Sequence, residues 1–184
     1  MCNWDFNKDD FNLSSYGEHM TNGYEIYKGE LDETKLSAIQ KSEQDTDEFK
    51  IRYTYTKGTS KTPKNKGRQF CRQMLSLADS GRVWRKEDII KMGDDGVNRK
   101  FGHNGNSYSI WEHHGGKNCY HRWERVIYKK KRQDDGELYG GNAMQNTDYI
   151  NVNEAKRQGA KIPKNDSNVA KAEIDKPGKG SYPG

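Results

Sequence analysis

Apolar residues alternate along FKIRYTYT, where Phe49, Ile51, Tyr53 and Tyr55 interleave with Lys50, Arg52, Thr54 and Thr56. A period of two puts every second side chain on one face, so this run predicts a strand with one buried face. The pattern changes at RQFCRQMLSLADSG. Phe70, Cys71, Met74, Leu75 and Ala78 now recur at helical spacing, and Gly81 follows as a helix-ending glycine. Val83 and Trp84 predict a short extended piece, and RKEDIIKM a second helix that buries Ile89, Ile90 and Met92. A connection rich in Gly, Asn and Asp runs from Gly93 to Gly105.

Strand character returns at NSYSIWEHH, where Tyr108, Ile110 and Glu112 alternate with Ser109 and Trp111. Gly115-Gly116 marks a turn into CYHRWERVIYKKKR, a further strand in which Tyr120, Arg122 and Glu124 oppose His121, Trp123 and Arg125. The run QDDGELYGG forms turns. Asn151 with Glu154 three residues later predicts a capped helix through Arg157 that ends at Gly159. Leu31 to Lys41 predicts a short helix, while KGTSKTPKNKG is a basic loop with no apolar residue.

These elements predict a small mixed α+β domain of a few antiparallel strands with two to three short helices, flanked by extended irregular arms. Residues 1–48 form an acidic arm with Trp4, Phe6 and Phe11 as apolar anchors; 49–160 form the compact Cys/His domain; 161–184 form an extended tail. Composition agrees with a limited core. Only 30% of residues are hydrophobic and 32% are charged, against about 45–50% apolar, Gly included, in average globular chains. Eleven Tyr and four Trp argue against a chain disordered throughout.

The net charge of +5 is unevenly placed. Residues 1–48 hold 12 Asp and Glu against 4 Lys, a balance of −8, so the remainder carries +13. An acidic head and a basic body point to two partners, or to head-to-body contact between copies. No apolar stretch approaches the length of about 20 that a membrane span needs, so no membrane partner is expected. MCNWDFNKDD lacks the basic start and apolar run of a signal peptide. Three cysteines, at 2, 71 and 119, do not make a secreted disulfide framework. Synthesis in a reducing cytoplasm is the expectation.

The sharpest local chemistry lies in GGKNCYHRWER. Cys119 and His121 in this turn, with Cys71 on the preceding helix, supply three soft or borderline metal ligands. A structural zinc site wants four, and His103, His113 or His114 is available for the last. No Cys-x-x-Cys pair is present, so the alternative stands beside it: Cys71 as a core residue of its helix, Cys119 and His121 as parts of a packed turn. The basic residues Arg122, Arg125, Lys129, Lys130, Lys131 and Arg132, interleaved with aromatics, are candidates for tracking a phosphate backbone, or else form the solvated side of an amphipathic strand.

Enzyme signatures are sparse. There is no G-x-S-x-G, Walker loop or H-E-x-x-H. Asp94-Asp95 and Asp134-Asp135 sit in Gly-containing turns, where Asp is common. A His-type metal nuclease is the enzymatic alternative, built from His103, the His113-His114 pair and His121, but no carboxylate stands at a convincing offset.

The ordered motifs RQFC (68–71), VWRKEDIIKM (83–92), YSIW (108–111) and GGKNCYHRWER (115–125), followed by NVNEAKRQG (151–159), together resemble a domain of phage virion-associated proteins. The region is similar to the C-terminal Cys/His part of MuF-like minor head proteins, and closer to that attached to XkdF-like head-maturation proteins of phages of Bacteroides-type hosts, including crAss-like phages. The likeness spans roughly residues 49–184 and implies a non-enzymatic role in the virion, at the head, neck or connector. Other virion proteins would be the partners, packaged DNA a candidate contact, and the state in the particle multimeric. The family's Cys and Gly-Gly…Cys-x-His pattern maps onto Cys71, Cys119 and His121. The chain has room for neither the helical domain of a MuF-like protein nor a serine-protease domain, so protease activity is not implied.

Overall fold

The nine residues Phe49–Lys57 form the longest edge on which the fold is built, strand β2. A computed structural model describes residues 12–19, 41–57, 67–116, 119–140 and 146–163 of the chain. The helix expected over 31–41, the anchors Trp4, Phe6 and Phe11, most of the basic loop and the tail beyond 163 lie outside them, apart from Lys41 at the helix end.

β2 pairs antiparallel along its whole length with β4 (His121–Lys130), and β4 pairs with β5 (Thr147–Ile150), giving the order β2-β4-β5. A second, two-stranded ribbon joins β1 (Glu18–His19) to β3 (Arg82–Val83). Trp84 ties it to the main sheet through backbone bonds exchanged with Tyr53, at 2.7 and 2.9 Å. Among the described residues, four α-helices complete the domain: α1 (Gln69–Asp79), α2 (Lys86–Asp94), α3 (Ile110–His113) and α4 (Val152–Arg157). The result is the small mixed α+β domain that periodicity predicted.

Alternation places Ile51, Tyr53 and Tyr55 of β2 and Trp123 of β4 on one face, where they meet Phe70, Cys71, Met74 and Leu75 of α1 and Ile89 and Met92 of α2. Trp84 and Trp123 are fully enclosed and cross edge to face at 5.6 Å, an arrangement that ring quadrupoles favour. At the other end of the same face, α4 lays Ala155 on Phe49 and Ile127. Asn151 caps that helix, its side chain accepting from Asn153 N–H at 2.8 Å. Gly81, at φ +91°, follows α1 and turns the chain into β3.

Three local expectations are corrected. NSYSIWEHH is not a strand: its extended part stops at Ser109, whose hydroxyl accepts from Glu112 N–H and caps α3. Adjacent Ile110 and Trp111 both pack on the core, which alternation forbids and a helix turn allows. Ile90 is exposed (43%), because only Ile89 and Met92, one turn apart, face the sheet. Gly93 is no loop residue but lies within α2, where a Cβ would stand 2.6 Å from Tyr108 O. Its hydrogen side chain lets the chain leading into α3 cross the helix closely.

The polar face of β2 differs as well. Lys50 and Arg52 are buried, not solvated. The segment before β2 runs along its edge beyond the end of β3. Asp45 there accepts from Arg52 at 2.7 and 3.1 Å and from Ile51 N–H at 3.0 Å, with Lys50 Nζ 3.8 Å away. Ser42 is buried beside it, with its hydroxyl on Glu87 of α2. Leu13 joins the main core. Two described pieces of the acidic N-terminal region therefore belong to the folded body.

Candidate metal centre

Cys71 sits in the first turn of α1, held inward by the same face that buries Phe70 and Met74. Cys119 and His121 arrive from the other side, at the start of β4. Register sets His121 opposite Lys57 and Trp123 opposite Tyr55, so the His121 and Tyr55 side chains share the core-facing side of the sheet. The two rings stack at 5.3 Å with 12° between their planes.

Between these elements lies the turn after α3, and several unrelated parts of the fold pin it. Tyr108 donates its hydroxyl to His114 O at 3.1 Å. Asn98 donates to Gly115 O at 3.1 Å, and the Arg68 guanidinium donates to the same oxygen. Arg68 also stacks over Phe101. His114 has φ +56°, a region β-carbon sterics disfavour, so the turn is held in shape by its surroundings. Gly116, at φ +88°, lies on Phe101, where a Cβ would come within 2.8 Å of the Phe101 Cβ. The Gly-Gly pair is needed because the chain passes this close to the Phe101 Cβ and carbonyl at Gly116 and to two sulfurs at Gly115.

Among the described residues, Cys71, Cys119 and His121 form the group able to hold a metal ion, with one ligand atom from each lying within 4.8 Å of the others. The sulfurs are 3.8 Å apart, and Cys119 Sγ is 3.4 Å from His121 Nδ1. Both cysteines are free and buried. The Tyr55 hydroxyl lies 3.5 Å from each sulfur. A hydrogen bond to Cys119, with burial, pushes the Cys71 thiol up, while the bond received from Cys71 holds Cys119 well below its usual value, against burial and with help from His121 and Tyr55. Burial, then the two sulfurs, raise Tyr55 well above an ordinary phenol.

The three ligands named from sequence are thus brought together across 50 residues of chain. His103 is not: it is exposed, in a single turn at His103–Gly105, and neither it nor His113 or His114 joins the group. Sequence reasoning read Tyr55 as a core residue and Gly115 as part of a turn, and did not place them or Arg68 at the site. The one available signal was Tyr55 on the inward face of a strand, since a buried phenol needs a polar partner.

The basic candidates lie on β4 and its exit. Arg122 pairs with Glu124 at 2.8 Å, Lys129 with Glu48 at 3.2 Å, Lys131 with Asp148 at 3.3 Å and Arg132 with Glu48 at 3.4 Å. Arg125 donates to Pro163 O at 3.5 Å, and Lys130 is half-buried. Strand alternation divides them: Arg122 and Lys130 face one side, Arg125 and Lys129 the other. Comparisons with protein-family models, with curated proteins and with solved structures find no match.

Proposed function

We propose that this chain is a structural, non-catalytic component of a tailed-phage particle, placed at its head, neck or connector, and that Cys71, Cys119 and His121 hold a structural zinc ion within it. The observation that carries the reading is the Cys/His group, in which Cys71 and Cys119 are 2% and 4% exposed and His121 is half-buried. Closed sites of this kind tie chain segments together, whereas catalytic zinc keeps a position open to substrate. Two thiolates and an imidazole are the donor set that zinc favours. The centre joins the start of α1 to the start of β4 and the residues just before it. The virion assignment rests on the ordered motifs, of which RQFC and GGKNCYHRWER supply all three ligands.

The domain acts through protein–protein contacts with other virion proteins and is multimeric in the particle; packaged DNA is a candidate further contact. Mass spectrometry of purified particles of the encoding phage tests this. Detection at a ring-like or capsid-like copy number is the expected result. Absence from particles that contain the other head proteins would overturn the virion role. Cleavage of plasmid DNA in Mg²⁺ or Mn²⁺, abolished by His121→Ala, would overturn the non-catalytic reading in favour of a nuclease. Salt-sensitive DNA binding without cleavage would shift it to a nucleic-acid-binding module.

A further inference from the structure

Three ligands leave a structural zinc site one short, and the geometry names the missing one. With Zn–S bonds of about 2.3 Å and Zn–N or Zn–O bonds of about 2.0 Å, a tetrahedral site has edges of about 3.8 Å between sulfurs and about 3.5 Å from sulfur to nitrogen or oxygen. The structure has 3.8 Å between Cys71 and Cys119, 3.4 Å from Cys119 to His121 Nδ1, and 3.5 Å from each sulfur to the Tyr55 oxygen. Four of the six edges therefore match, and two of them belong to Tyr55.

We infer that Tyr55 is the fourth ligand, its phenolate oxygen closing a Cys₂HisTyr tetrahedron around the zinc ion; this rests on the metal reading above. In the metal-free protein the phenol can donate to one sulfur and accept from the other thiol at these same distances. The equal distances leave its oxygen where a common centre would take it up. The ring is fixed for this role: it stacks on His121 and meets Phe70 and Trp123 edge to face at 6.1 and 4.9 Å.

On binding, Zn²⁺ forms bonds to both sulfurs, to the His121 nitrogen and to the Tyr55 oxygen. The protons of the Cys71 and Cys119 thiols and of the Tyr55 phenol leave to solvent. Two thiolates, one phenolate and a divalent ion sum to a single negative charge. The guanidinium of Arg68, anchored on Gly115 O and felt at Cys71, is the compensating positive charge. A metal ion reverses the preference for neutral ligands in such a pocket, because its own charge dominates the field.

The test is a zinc titration of the full-length, reduced, metal-free protein near neutral pH, followed by ultraviolet difference absorption. Zinc is colourless, and tyrosinate absorbs to the red of both phenol and the zinc–thiolate bands. The expected result is one zinc bound per chain, with thiolate and tyrosinate bands growing together. Tyr55→Phe should lose the tyrosinate band, keep the thiolate band and bind zinc about 10-fold or more weakly. Stoichiometric binding with a thiolate band and no tyrosinate band in the wild type overturns Tyr55 as a ligand while leaving the zinc site standing. Failure of the wild type to bind zinc at all overturns both. The wild-type spectrum decides the matter even if the variant does not fold.

Discussion

A methyl group added at Gly115 would stand 2.3 Å from Cys71 Sγ and 3.0 Å from Cys119 Sγ, inside the contact distance of either. Gly115→Ala should therefore push the sulfurs apart. Overpacking of this kind costs about 1–3 kcal/mol, which a lower urea midpoint would reveal, and zinc binding should weaken with it. Gly140→Ala is the control, since nothing lies within 4 Å of its added Cβ. His113 gives a second effect at this scale. Burial lowers its pKa below the ordinary 6.5, with Glu112 opposing. Above that value the imidazole is neutral in both states. As pH falls below it, the unfolded chain takes up the proton first, so stability declines until the folded pKa is also passed. Urea midpoints measured between pH about 7 and about 5 should fall for the wild type, and His113→Gln should flatten part of that slope.

At the scale of elements, the edge of β2 is closed by a side chain where β3 runs out. Asp45 accepts from the Ile51 N–H and the Arg52 guanidinium, and its own segment is fixed by Ser42 N–H on the same carboxylate at 3.1 Å. Arg52 and Asp45 are 0% and 1% exposed. Removing one partner of a buried pair strands the other's charge, at a cost of about 3–5 kcal/mol. Asp45→Ala should lower the urea midpoint accordingly, and an unchanged midpoint would show that the edge is sealed by other means. The helices show a similar dependence on distant contacts. α3 has only four residues, too short to persist alone. It is held by the Ser109 cap and by Trp123 Nε1–H, which donates to Ile110 O at 3.2 Å.

For the whole molecule, a chain with 30% hydrophobic residues has a modest core for its length, to which a bound ion would add stability. A ligand that binds only the folded state adds stability that grows with its concentration, about 2.7 kcal/mol at 100 times its Kd. A strong chelator should therefore lower the Tm of the zinc-loaded protein, added zinc should restore it, and Cys71→Ser should remove the response. A Tm indifferent to chelator and zinc would leave Cys71 and Cys119 as core thiols.

Much of this fold was legible along the chain because its signals are local. Alternation in FKIRYTYT set a strand, the spacing of Phe70, Cys71, Met74 and Leu75 set a helix face, and Asn151 with Gly159 bracketed another. Residue type offered Cys71, Cys119 and His121 together with His103, His113 and His114, and the fold brings only the first three together. Tertiary structure decided what depends on neighbours remote in sequence. The burial of Lys50 and Arg52 required Asp45 beside them, because a charge enters a core only with its counter-charge. NSYSIWEHH became a helix turn because Ile110 and Trp111 both had core to cover. The approach of Tyr55 to sulfurs 16 and 64 residues away was set by the β2–β4 register and the docking of α1. No periodicity encodes such distances; only packing creates them.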